Sequence, residues 1–196
     1  MTGAVTFTAE YKERAELTKA VAIFDYAGGV DTAGNGSKYV TGKAGATITG
    51  IDDPNRTGYR FDGWDKTLEF GAVGSVTVFT AQWTINKYDV TFEPGTDGSL
   101  DSGNANAVYK VEHDTSVTTI PTVTANTGKV FVGWLNSADN SVYTADSLAN
   151  YKVTADVTFT AQYADEDKAT VIFVFAGGTV NGQHSEVKTG TPGTEI

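Results

Sequence analysis

The sequence predicts a mainly β protein (β-rich α+β) assembled from tandem repeats, and three observations carry that reading. In composition, 10 Phe and 9 Tyr stand against a single Met among 196 residues, and Val and Thr are abundant. That balance suits half-buried pleated surfaces better than helices. An alternating segment occurs three times, at 4–11, 76–83 and 156–163. Two further markers recur between those copies: a Gly-x-x-Phe-x-Gly-Trp core and an apolar run ending in Gly-Gly. Repetition of this kind decides the architecture before any single motif does.

The alternating segment is a strand with one buried and one wet face, since Val5, Phe7, Ala9 and Tyr11 alternate with Thr6, Thr8 and Glu10. Its closing aromatics at 11, 83 and 163 set periods of 72 and 80 residues (83 − 11 and 163 − 83). The core marker is Gly58-Tyr59-Arg60-Phe61-Asp62-Gly63-Trp64 in one unit and Gly128-Lys129-Val130-Phe131-Val132-Gly133-Trp134 in the next. Trp64 precedes its closing aromatic by 19 residues and Trp134 by 29 (83 − 64 and 163 − 134), which predicts a loop insertion within 136–150. Each Trp is expected to plug a core, with the preceding Gly letting a backbone approach.

The opening marker is Ile23-Phe24-Asp25-Tyr26-Ala27-Gly28-Gly29, matched by Ile172-Phe173-Val174-Phe175-Ala176-Gly177-Gly178 and more loosely by Val90-Thr91-Phe92-Glu93-Pro94-Gly95. The glycines suit a turn with positive φ and predict a hairpin onto Tyr39-Val40 or Val108-Tyr109-Lys110-Val111. Val171, Phe173 and Phe175 share one face of their strand, and Ile172 and Val174 share the other. A strand apolar on both faces is either central in its sheet or covered by another unit or chain. Helix is expected only as a single turn within 144–153, capped by Asp146. The predicted organisation is the closing strand of a preceding repeat (1–11), a charged linker (12–18), repeat units at 19–83 and 84–166, and the first half of a further repeat (167–196).

Several chemistries are excluded or disfavoured. The chain has no cysteine, so disulfides, thiolate metal sites and Cys nucleophiles are out. A net charge of −10 argues against nucleic acid, which needs clustered Lys and Arg. No run approaches the ~18 apolar residues of a membrane span, so no membrane insertion is expected in this segment. No secretion leader is legible at the start, and any signal or wall anchor is expected outside this chain. The two histidines, His113 and His184, fall in different units. Glu112-His113-Asp114 cannot converge on an ion because strand neighbours point to opposite faces. Asp52-Asp53 and Asp165-Glu166-Asp167 lack the spacing of a calcium loop, and Asp97-Gly98-Ser99-Leu100-Asp101 reads as a turn. No catalytic, cofactor-binding or metal-ligating residue is assigned, no cofactor is expected, and no enzyme activity is expected.

The three markers together resemble the Listeria–Bacteroides repeat, the family of internalin B-repeats in bacterial surface proteins. The second unit departs from the pattern at Lys129, where the motif has tyrosine, and at Glu93-Pro94-Gly95 in place of the usual turn. The resemblance implies small β-grasp-like modules, a curled sheet around a crossing segment, strung in an elongated series at the extracellular bacterial cell surface. It implies a stalk, spacer or adhesive role, with neighbouring repeats or other copies of the chain as partners. The alternative is a module that binds a host protein or glycan through exposed aromatics, for which Tyr39, Tyr59 and Trp64 are the candidates. Residues 167–196 carry an opening strand without a closing one, and 4–11 form a closing strand without a unit. Either one chain's 4–11 completes the next chain's 167–196, giving head-to-tail assembly, or the ends of the segment are arbitrary, or the domain frame is offset from the motif frame.

Overall fold

The computed structural model describes residues 18–195. The closing strand expected at 4–11, and all of the 12–18 linker except Thr18, lie outside the described residues. The chain divides into two compact units between Thr84 and Ile85.

Unit 1 contains β1 (Lys19–Asp25), β2 (Ser37–Lys43), β3 (Tyr59–Trp64) and β4 (Val76–Ile85), in the sheet order β2-β1-β4-β3. The opening strand β1 pairs antiparallel with β2 and parallel with the closing strand β4, with Phe24 opposite Phe79. Strand alternation places Ala20, Ala22 and Phe24 in the core, and Tyr26 follows them there just past the strand's end. Two irregular segments cross that face instead of a helix. They bring Ile48 and Phe70 into the core, with Ala46, Ile51 and Leu68 packed around them. They are laced together by Ile48 N–H to the Leu68 carbonyl and Phe70 N–H to the Ala46 carbonyl, both 2.9 Å. Gly42 in β2 makes room for this layer, because a Cβ there would lie 2.1 Å from the Phe70 ring. The turn after β1 puts Gly28 at φ 89°, the positive angle expected of the Gly-Gly marker.

Unit 2 repeats the plan with additions. Its strands are β5 (Lys87–Glu93), β6 (Gly98–Leu100), β7 (Ala107–Glu112), β8 (Val123–Ala125), β9 (Lys129–Asn136), β10 (Val142–Tyr143) and β11 (Val157–Asp165). The main sheet runs β10-β9-β11-β5-β7, which is the order of unit 1 read from the other side with β10 appended. Again the opening strand β5 is parallel to the closing strand β11, with Phe92 opposite Phe159. The insertion anticipated within 136–150 is β10 together with α1 (Ala145–Leu148).

Two local expectations are corrected. Asp97–Asp101 is not first a turn: Gly98–Leu100 is a strand paired with β8, because Leu100 is buried and belongs to the core cluster. The turn follows it, where Gly103 N–H reaches the Leu100 carbonyl. The helical turn is capped by Thr144 rather than Asp146: Thr144 is extended and its hydroxyl accepts from Ser147 N–H at 3.3 Å, leaving Asp146 in the first turn.

The chain then folds back as a hairpin of β12 (Ala169–Val174) and β13 (Ser185–Gly190) within unit 2. β1 and β5 are both interior to their sheets, but only β1 is apolar on both faces, since the second face of β5 carries Lys87, Asp89, Thr91 and Glu93. β12 differs, having β13 as its single sheet partner among the described residues.

Candidate functional site

Three surfaces are candidates, and the first is a clasp built identically in both units. Phe24 stacks on Phe79 (5.2 Å between centroids, 16° between planes) and takes Trp64 edge-on at 4.8 Å. In unit 2 Phe92 stacks on Phe159 (5.4 Å, 21°) and takes Trp134 edge-on at 4.8 Å. Such pairs contribute about 0.5–1.5 kcal/mol beyond their buried area. The closing aromatic then reaches back over the start of the unit. Trp83 Nε1 donates to the Tyr26 carbonyl at 3.0 Å, and Tyr163 Oη donates to the carbonyl of Pro94, the equivalent residue, at 2.9 Å. This latch was missed in the sequence, although the signal was present: the closing aromatics are Tyr11, Trp83 and Tyr163, all ring donors and none of them Phe.

Both tryptophans work as core plugs, with Trp134 fully enclosed and Trp64 packed against its cluster. The glycines before them differ. A Cβ on Gly133 would lie 2.8 Å from the Tyr143 carbonyl, whereas Gly63 meets nothing within 4 Å and is held at φ 108°.

The second surface is a joint between the inserted loop of unit 2 and the β12–β13 hairpin. Ser185 Oγ accepts from Val142 N–H at 2.8 Å and donates to the Val142 carbonyl at 2.7 Å. Beside it His184 N–H donates to Ser141 Oγ at 2.7 Å, and Gln183 Nε2 donates to the Asn140 carbonyl at 2.8 Å. Ser141 and Ser185 are buried, so these bonds satisfy groups that water does not reach. Tyr143 lies alongside, its hydroxyl donating to Asp139 at 2.8 Å. Burial first, and then that carboxylate, push its phenol well above the usual range.

The third surface is the outer face of unit 1. Equivalent positions in the two sheets diverge there. Tyr39, Ile23 and Val78 form one cross-strand row, and Thr41, Val21 and Val76 form the next. The matching rows in unit 2 are Val108, Thr91 and Thr158, then Lys110, Asp89 and Asp156. Tyr39 is 73% exposed. It does not join Tyr59 and Trp64 in one cluster: Tyr59 lies under the Arg56 guanidinium at 3.8 Å, and Trp64 faces Phe24.

Several other polar groups form surface pairs. Glu112 pairs with Lys87 at 3.2 Å, and the His113 ring lies 5.9 Å from Tyr88. His184 Nδ1 is 3.2 Å from the Gly178 carbonyl. Among the described residues no cluster of three or more metal-ligating side chains occurs, and no helix is long and apolar enough to cross a membrane. Lys129, the departure from the motif, pairs with Asp165 at 2.9 Å and Asp97 at 3.4 Å.

A family model described as the Listeria-Bacteroides repeat domain matches residues 21–86 and 88–162. Two curated proteins of Evansella cellulosilytica are similar. One, named "Putative membrane protein", is 28% identical over 159 residues and matches 74% of this chain. The other, named "Putative Gly-rich membrane protein", is 31% identical over 115 residues and matches 50% of this chain. The matched region spans only 24% and 13% of those relatives' own lengths.

Proposed function

Because the chain belongs to the Listeria-Bacteroides repeat family, we propose that it is a non-catalytic spacer segment of a bacterial surface protein. In that role its units follow one another to set the reach of the parent molecule. The observation that carries this reading is the clasp. Two successive units spend their largest aromatics on the same internal geometry. The membrane-protein names of the relatives support surface association, and a net charge of −10 favours solubility of an exposed segment.

A second reading rests on the apolar outer face of unit 1. The Tyr39, Val76 and Val78 side chains, all exposed, would contact a host protein or glycan as a flat sheet surface. Exchanging the repeats in the parent protein for an unrelated spacer of equal length separates the two. Retained attachment of cells to their target supports the spacer. Loss of attachment, reproduced by Tyr39→Ser with Val78→Thr alone, contradicts it and supports the binding face.

A further inference from the structure

The outer faces of the two main sheets differ in how their charges are balanced. In unit 2 the cross-strand positions neutralise one another: Lys87 pairs with Glu112 at 3.2 Å and Asp89 with Lys110 at 2.7 Å. With Phe24 as the counterpart of Phe92, the same four positions in unit 1 are Lys19, Lys43, Val21 and Thr41. Where unit 2 has an ion pair, unit 1 therefore has two lysines directly opposite each other. Like charges facing across a strand pair repel, and a nearby carboxylate relieves them. Neither lysine has such a partner among the described residues. Beside them runs an apolar strip in which Tyr39, Val76 and Val78 are exposed and Val21 and Ile23 half-buried.

We propose that this face is a self-association surface, on which a second copy of the chain stacks with its strands antiparallel to the first. The outward residues of β1 are Lys19, Val21, Ile23 and Asp25, so opposite charges stand at the two ends of an apolar pair. Consider a two-fold axis between the stacked sheets, running across the strands and midway between the rows of Val21 and Ile23. It sets Lys19 of each copy over Asp25 of the other. Val21 then meets Ile23, Val76 meets Val78, and Tyr39 meets Thr41 of the facing copy. Such a contact is self-complementary, and stacked sheets commonly align their strands in this way. A two-fold running along the strands would instead set lysine over lysine and carboxylate over carboxylate, so charge selects the first arrangement. Asp25 can serve: one carboxylate oxygen accepts from Ala27 N–H at 2.9 Å, and the other is left for the incoming lysine.

The matching face of unit 2 is unsuited to this, because Asp89, Thr91, Asp156 and Thr158 stand where unit 1 has Val21, Ile23, Val76 and Val78. The contact is small. Three strands about 4.8 Å apart and four rows about 6.6 Å apart give a footprint of roughly 300 Å² per copy. Stable complexes bury about 800 Å² per partner, so the pairing is weak and reversible. It goes beyond the spacer role and does not depend on it, and it puts a second copy on the face that a host molecule would otherwise occupy.

Sedimentation equilibrium of the full chain from about 10 μM to about 1 mM tests the pairing in the range where weak dimers form. The unsubstituted chain should show a reversible monomer–dimer equilibrium. Lys19→Glu sets carboxylate over carboxylate, and Asp25→Lys sets ammonium over ammonium, so each alone should weaken dimerisation at least about tenfold. Mixing the two variants restores opposite charges at both contacts, and the mixture should dimerise as the unsubstituted chain does. Tyr39→Ser with Val78→Thr leaves both charges in place and should weaken dimerisation by thinning the apolar strip. A monomer throughout the range would overturn the proposal and leave the face to a foreign partner. A dimer indifferent to the serine and threonine substitutions, or folded charge variants that fail to recover on mixing, would overturn it as well.

Discussion

Ser185 Oγ closes a ring on the backbone of Val142, accepting its N–H at 2.8 Å and donating to its carbonyl at 2.7 Å. One buried hydroxyl thereby extends the edge strand β10 to the following hairpin. The inserted loop of unit 2, which has no counterpart in unit 1, is the surface on which the next opening hairpin rests.

Ser185→Ala removes both bonds and leaves two backbone groups without partners in a site closed to water. The expected cost is about 1–3 kcal/mol, confined to the joint. Hydrogen exchange should show faster exchange along β12 and β13 and unchanged protection in β1 and β4. Loss of protection in unit 1 would mean the bonds support the whole fold rather than this joint.

The clasp predicts graded effects within one unit. Tyr163→Phe keeps the ring and removes only the bond to Pro94, for an expected loss of about 0.5–1.5 kcal/mol. Phe159→Ala opens a cavity beside Phe92 and Trp134, for about 3–5 kcal/mol. Denaturant unfolding of the full chain measures both. Equal losses would show that the latch, not the packing, holds unit 2 closed.

Much of this was legible in advance because the repeat constrains it. Alternation in 76–83 and 156–163 placed Phe79 and Phe159 on buried faces, and the ten-residue difference in Trp spacing located β10 and α1. The Gly-Gly marker implied the positive φ found at Gly28 and Gly177. What the sequence hid were relationships between residues distant in the chain. Nothing local in Asp97–Asp101 signals a strand, because Leu100 is drawn into the core by a partner strand 23 residues away at Val123. Ser141, Ser185 and Val142 are individually unremarkable, and only the fold brings them together. The divergence of the two outer faces became visible once the register aligned Val21 with Asp89 and Val78 with Thr158.

Equivalent glycines should not respond equally. Gly133→Ala drives a methyl against the Tyr143 backbone, and Gly42→Ala drives one into the Phe70 ring; each is expected to cost about 1–3 kcal/mol. Gly63→Ala meets no atom and carries only the left-handed backbone cost, about 1–2 kcal/mol. Gly63→Asn should recover part of that loss while Gly133→Asn worsens its own, as read from thermal melts. Rescue at both positions would contradict the steric assignment.

Stability should fall at both ends of the pH scale. Asp31, Asp65, Asp101 and Asp165 are held below the usual carboxylate range by Asn35, by Lys66, by the Thr122 and Thr124 hydroxyls, and by Lys129 respectively. Their contribution is present above about pH 4, the unfolded value, and is lost as pH falls toward the folded values. Tyr26, Tyr143 and Tyr163 are pushed up chiefly by burial. The unfolded chain releases those protons above about pH 10 while the fold retains them, so stability declines there too. Melting temperatures at pH 3, 7 and 11 should peak at 7. A higher value at pH 3 would contradict the carboxylate assignments.

Small-angle X-ray scattering of the chain at low concentration tests the spacer role most directly. A compact globule of this length has a radius of gyration of about 16 Å. Units that follow one another to give reach predict a value above about 20 Å and a distance distribution skewed to long separations. A value near that of the globule, with a symmetric distribution, would contradict the account.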